Sequence, residues 1–131
     1  MFGKKDQPPI KSLIANGSSI EGNLKFTGGI RIDGNVVGNI VADSEHRSIL
    51  VIDERGHVTG EISAHLVIIN GQINGSVSAA ELLELHPKAN IQGDVHYKAL
   101  KMHQGALITG RLQPLIAGED RAHIKLAAIN A

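Results

Sequence analysis

A five-residue unit (aliphatic, polar, Gly, polar, aliphatic) recurs six times in this chain and limits its fold more than any other feature. The copies are Ile20-Glu21-Gly22-Asn23-Leu24, Val36-Val37-Gly38-Asn39-Ile40, Val58-Thr59-Gly60-Glu61-Ile62, Ile73-Asn74-Gly75-Ser76-Val77, Ile91-Gln92-Gly93-Asp94-Val95 and Ile108-Thr109-Gly110-Arg111-Leu112. Val37 alone breaks the alternation. A small residue stands two positions before each copy: Ser18, Gly34, Gly56, Gly71, Ala89 and Ala106. The central glycines are 16, 22, 15, 18 and 17 residues apart, and the longest interval holds a polar segment, residues 43–48, that is expected to loop out at a corner.

Alternation of aliphatic and polar residues puts one face of a strand inward and the other outward. A period near 17 with two or three short strands in each is the pattern of a parallel β-solenoid. No repeat can bury its own apolar row; stacking at ~4.8 Å per turn joins the rows into columns. The glycines fit the bends, where positive φ or close backbone approach is needed. Further apolar pairs (Ile30 and Ile32, Leu50 and Ile52, Leu66 and Ile68, Leu82 and Leu83, Leu100 and Met102) are expected to line another wall. A hairpin meander could use Asp33-Gly34, Asn70-Gly71 and Asn74-Gly75 as turns, but it has no reason to repeat one aliphatic pair in register six times. Composition agrees with the solenoid: three aromatics are too few for an ordinary two-layer core, and 42% apolar content excludes low-complexity disorder. The expected fold is all-β, a single-domain parallel β-helix of about six rungs over residues 13–115, with short tails over 1–12 and 116–131.

Several functions are disfavoured by what the chain lacks. Thirteen basic and thirteen acidic residues balance, which argues against a phosphate-neutralising nucleic-acid surface. Without cysteine there is no disulfide, thiolate metal site or cysteine nucleophile. No apolar run exceeds four residues, so no membrane-spanning helix is expected. Lys4 and Lys5 lead into Asp6 and two prolines, unlike a signal peptide, so Asn16-Gly17-Ser18 and Asn74-Gly75-Ser76 are not read as glycosylation sites. No glycine pair has dinucleotide-loop spacing, only Gly3 precedes a lysine, and no cofactor or nucleotide is expected.

Aligned on their glycines, His86 and His103 share a column with Arg31 and Asp53, but two imidazoles without a fixed carboxylate make a poor metal site. No metal or catalytic residues are assigned, and Asp94 and Arg111 are expected to form a surface ion pair. Left-handed hexapeptide-repeat acyltransferases are also solenoids, but their aliphatic period of six holds here only from Ile73 through Ala79 and Leu85 to Ile91. That enzyme and a non-polymerising β-helix binding module are the alternatives.

The opening rungs, Ser18-Ser19-Ile20-Glu21-Gly22-Asn23-Leu24 with Ile32-Asp33-Gly34, and the later copies of the unit resemble the bactofilins, a family of bacterial cytoskeletal proteins. The start, Met1-Phe2-Gly3-Lys4-Lys5, resembles that family's short membrane-targeting motif. The resemblance implies a right-handed triangular β-helix that polymerises end to end into nonpolar filaments without nucleotide. It further implies a cytoplasmic scaffold at the inner membrane face, with protein clients in morphogenesis. Phe2 with Met1 suits the headgroup boundary, and Lys4 and Lys5 would each gain ~1 kcal/mol against anionic lipid.

Monomeric solenoids cover their ends with a polar cap. Here Lys11 and Ser12 run straight into Leu13, and Pro114 closes the last rung; only a helix over 118–131 could act as a cap. Leu13, Ile20 and Leu24 at one end, and Ile108, Leu112 and Leu115 at the other, are therefore the expected self-association surfaces.

Overall fold

In the computed structural model, residues 8–115 are described, and all their regular structure is parallel β-strand. Three strands make each turn. The first turn is β1 (Ile10–Ile14), β2 (Ser19–Glu21) and β3 (Leu24–Phe26); the second is β4 (Gly29–Ile32), β5 (Asn35–Val37) and β6 (Ile40–Ala42). The third opens with β7 (Ile49–Ile52) and β8 (His57–Thr59). Three longer strands then each bend around a corner from one turn into the next: β9 (Ile62–Ile69), β11 (Val77–Leu85) and β13 (Val95–Met102). Between and after them come β10 (Gln72–Asn74), β12 (Asn90–Gln92), β14 (Leu107–Thr109) and β15 (Leu112–Pro114). The result is a six-turn β-solenoid with three walls. The second wall runs β2-β5-β8-β10-β12-β14, and the other two join through the bent strands.

The uneven glycine spacing is explained by the corners. The corner after the second wall always takes two residues, a glycine and its successor, as in Gly75-Ser76. Between Gly60 and Gly75 the other two corners are minimal, His65 alone and then Asn70-Gly71. Longer turns add residues only at those two corners. Residues 43–48 loop out between β6 and β7, and β11 carries an extra residue at a register shift between Ala79 and Leu82. Tight four-residue turns at 53–56, 86–89 and 103–106 close with N–H to carbonyl bonds of 2.8, 2.9 and 3.2 Å.

The recurring unit places its aliphatics as expected. Val36, Val58, Ile73 and Ile91 stack on the second wall, and Ile40, Ile62, Val77 and Val95 on the third; none is more than 1% exposed. The first wall corrects the sequence reading. Its inward columns are Ile30-Leu50-Val67-Leu83-Leu100 and Ile32-Ile52-Ile69-Leu85-Met102, so Val67 and Ile69 point inward while Ile68 and Leu82 are half-buried. A strand's side chains alternate with period two, so one residue more or less at a corner exchanges its faces.

The scarce aromatics have a defined place. Phe26 pairs with Ala42 near one end, and Ala64, Ala79 and Tyr97 follow in register toward the other. Small side chains fill the narrow middle, and rings fill the last space before the ends. Tyr97 is 1% exposed, and its hydroxyl has no hydrogen-bond partner among the described residues. Burial pushes that hydroxyl's pKa up. A buried, unpaired donor costs stability that removal of the group returns. Tyr97→Phe is therefore expected to raise unfolding stability by about 1 kcal/mol, read as a higher urea midpoint; a lower midpoint would show that the hydroxyl is satisfied.

Candidate functional site

Each interior strand of the rod pairs on both sides, but the strands at its ends do not. Among the described residues, β1, β2 and β3 pair only with β4, β5 and β6, while β14 and β15 pair only with β12 and β13. Within the described residues each end thus presents a row of unpaired backbone groups, which can template further pairing. Apolar columns stop at the same places. On the second wall, Ile20 and Ile108 are partly exposed although every residue between them in the column is 0% exposed. On the third wall, Leu24 is partly exposed and Leu112 is 36% exposed.

Four of the six residues named from the sequence therefore end inward columns: Ile20 over Val36, Leu24 over Ile40, Ile108 over Ile91 and Leu112 over Val95. The other two do not. Leu13 pairs with the outward Arg31 and is 55% exposed, so Ile14 takes the inward place over Ile32. Leu115 lies beyond β15, held by its N–H to the Tyr97 carbonyl at 2.8 Å. Leu100 and Met102, which end the first-wall columns, were missed; the signal was their register with Leu83 and Leu85. Strand pairing begins at Ile10, three residues before Leu13. Met1, Phe2, Lys4 and Lys5 lie outside the described residues, as does the stretch 118–131 considered as a cap.

The polar surface corrects three further expectations. Among the described residues Asp94 and Arg111 form no side-chain ion pair; Asp94 Oδ1 instead accepts the Arg111 main-chain N–H at 2.9 Å. Asn23 and Asn39 do the same for the N–H groups of Asn39 and Glu61, at 2.9 and 3.0 Å. At these three positions the residue after the column glycine points along the rod and accepts from the next turn's backbone. The corner column holding His86 and His103 continues to Asn70, Asp53 and Asp33, not to Arg31, as the main-chain bonds of these residues one turn apart establish. Arg31 lies outward on β4 and reaches Asp33 at 2.8 Å and Asp53 at 3.4 Å. Finally, the histidine pair does have a carboxylate: Glu84 Oε2 is 2.9 Å from His86 Nε2 and 3.6 Å from His103 Nε2.

Around the large loop, Ser48 is fully buried; its hydroxyl lies 2.9 Å from His65 Nδ1 and accepts the His65 N–H at 3.0 Å. Arg47 pairs with Glu81 at 3.0 Å and ties the loop to the extra residue of β11. These contacts position the loop against the rod. They form no reactive constellation.

Compared with known proteins, residues 12–113 match the family model described as bactofilin, polymer-forming cytoskeletal. No curated protein and no solved structure matches the chain.

Proposed function

Because this chain belongs to the bactofilin family of polymer-forming cytoskeletal proteins, we propose that its rod stacks end to end, like end on like end, into a nonpolar filament without nucleotide. The observation that carries this reading is the exposure of Ile20, Leu24, Ile108 and Leu112 at both ends of columns that are otherwise dry. Stacking continues the strand ladder and buries these ends together, which favours association at ~25 cal/mol per Å² of apolar surface removed from water. A structural family and a sequence without a phosphate loop support a scaffold with no catalytic role.

The parts divide the work. Residues 10–115, which include the three residues of β1 that precede Leu13, form the polymerising rod, with 1–9 a membrane-targeting tail and 116–131 a second tail. Met1, Phe2, Lys4 and Lys5 hold the filament to anionic lipid on the inner face of the cytoplasmic membrane, where client proteins of morphogenesis dock on it. One such motif is weak, but a filament carries one per subunit, and avidity multiplies them. Electron microscopy of the negatively stained protein tests assembly: long filaments are expected, and uniform short rods would favour a binding module instead.

Attachment has its own test. Pelleting with anionic liposomes is expected to fall severalfold for Phe2→Glu, with filaments intact. Unchanged pelleting would remove the tail from the account.

A further inference from the structure

We propose that Glu84, His86 and His103 bind a single divalent transition-metal ion of the zinc class across the last two turns of the rod. Glu84 is on β11 and His86 begins the turn that follows it, so the two side chains, two residues apart on an extended chain, project to one side. His103 occupies the equivalent position one turn later. The two corners are held in register because the His86 N–H donates to the Ile69 carbonyl at 2.8 Å and the His103 N–H to the Leu85 carbonyl at 2.9 Å.

The donor atoms converge. From the Glu84 carboxylate oxygen, the two Nε2 atoms are 2.9 and 3.6 Å away, and all three ligand atoms lie within 4.8 Å of one another. Bonds of ~2.0–2.1 Å in a tetrahedral zinc site separate the ligand atoms by about 3.3 Å, which both carboxylate–nitrogen distances approach to within a few tenths of an ångström; rotation of the two half-exposed imidazoles would close the rest. The imidazole rings are 4.8 Å apart and tilted by 42°, so they do not lie flat on each other as an apolar stack would.

A second observation points to a ligand. The His103 side chain is 39% exposed, but its Nε2 atom is buried and has no hydrogen-bond partner among the described residues, Glu84 Oε2 at 3.6 Å being just out of reach. Leaving a buried ring nitrogen unpaired is costly, and a metal bond would satisfy it. Two neutral imidazoles and one carboxylate suit zinc, copper or nickel, and they leave a fourth position open. The bound ion would clamp the sixth turn to the fifth.

The competing cluster, Asp43, Glu45 and His46, sits on the exposed loop, where Asp43 already binds His46 at 2.6 Å and the Glu45 N–H at 3.1 Å. Those two bonds hold the Asp43 carboxyl below its usual range. It serves as the internal control.

The test is calorimetric titration of the full chain with zinc chloride alone. One zinc ion per chain is expected, with affinity falling roughly tenfold or more, about 1.4 kcal/mol or greater, in His86→Ala, His103→Ala and Glu84→Gln, and unchanged in His46→Ala. Should an alanine variant fail to fold by circular dichroism, Glu84→Gln alone decides. Cobalt(II) gives an independent readout: strong visible absorption from a four-coordinate site in the native chain, lost in His103→Ala. Absence of saturable zinc binding overturns the proposal. So does binding that survives Glu84→Gln and His103→Ala, or is lost in His46→Ala.

Discussion

Gly75→Ala is expected to cost about 4 kcal/mol or more, most of a typical domain's stability, and to leave much of the chain unfolded. Gly75 has φ +147°, a region essentially reserved for glycine, and a Cβ there would run into the carbonyl of Gly60, its counterpart in the preceding turn. The obstacle is backbone, and it cannot rotate away. Gly60, Gly93 and Gly110 meet the preceding glycine in the same way, so the column lets successive turns approach along one whole edge. Because a solenoid's stability is a sum of nearest-neighbour terms, a break at Gly75 separates the rod into two weak halves. Gly17→Ala is the control: φ is +94° there, but nothing lies within 4 Å of the added carbon, so only the conformational cost of about 1 kcal/mol applies. Urea midpoints of both variants, measured in a non-polymerising background, check the difference. Equal losses would show that close approach at the glycine column contributes nothing.

The second large effect concerns assembly. Ile108→Arg is expected to abolish long filaments and leave dimers. Ile108 ends a column, so in the monomer the guanidinium can reach water along its own alkyl stem, whereas in a junction it would be trapped without a partner. Leu24→Arg should act alike at the opposite end, where Leu24 covers Ile40. Sedimentation then distinguishes two geometries. If like ends meet, each variant alone keeps one working junction and stops at a dimer. If unlike ends meet, each variant alone is a monomer, and only a mixture of the two yields dimers. Long filaments from either variant would place the junction elsewhere.

The second and third walls were legible in the sequence because they flank a corner of constant length. The glycine unit reports both sides of that corner, so the inward positions of Val58 and Ile62, or of Ile91 and Val95, follow from the sequence alone. The first wall lies between two corners of variable length, and counting across them lost the register. That error underlies the placing of Ile68 for Ile69, of Arg31 for Asp33 and of Leu13 for Ile14. The Asp94 bond to the Arg111 N–H was hidden for another reason: pairing by charge says nothing about a backbone donor nearer than the guanidinium. Glu84 was visible, two residues before His86, but only the stacked turns show that one oxygen faces both rings.

The loop at residues 43–48 lies two turns from one end of a rod of six. At ~4.8 Å per turn, that places it about 10 Å from one end and about 20 Å from the other. In a filament of alternating subunits these loops would not be evenly spaced. Along the axis their separation would alternate between about 20 Å and about 40 Å, a two-stroke ruler repeating every second subunit. Whatever is grafted onto that loop, a fluorophore or a binding peptide, would inherit the rhythm and be displayed in pairs.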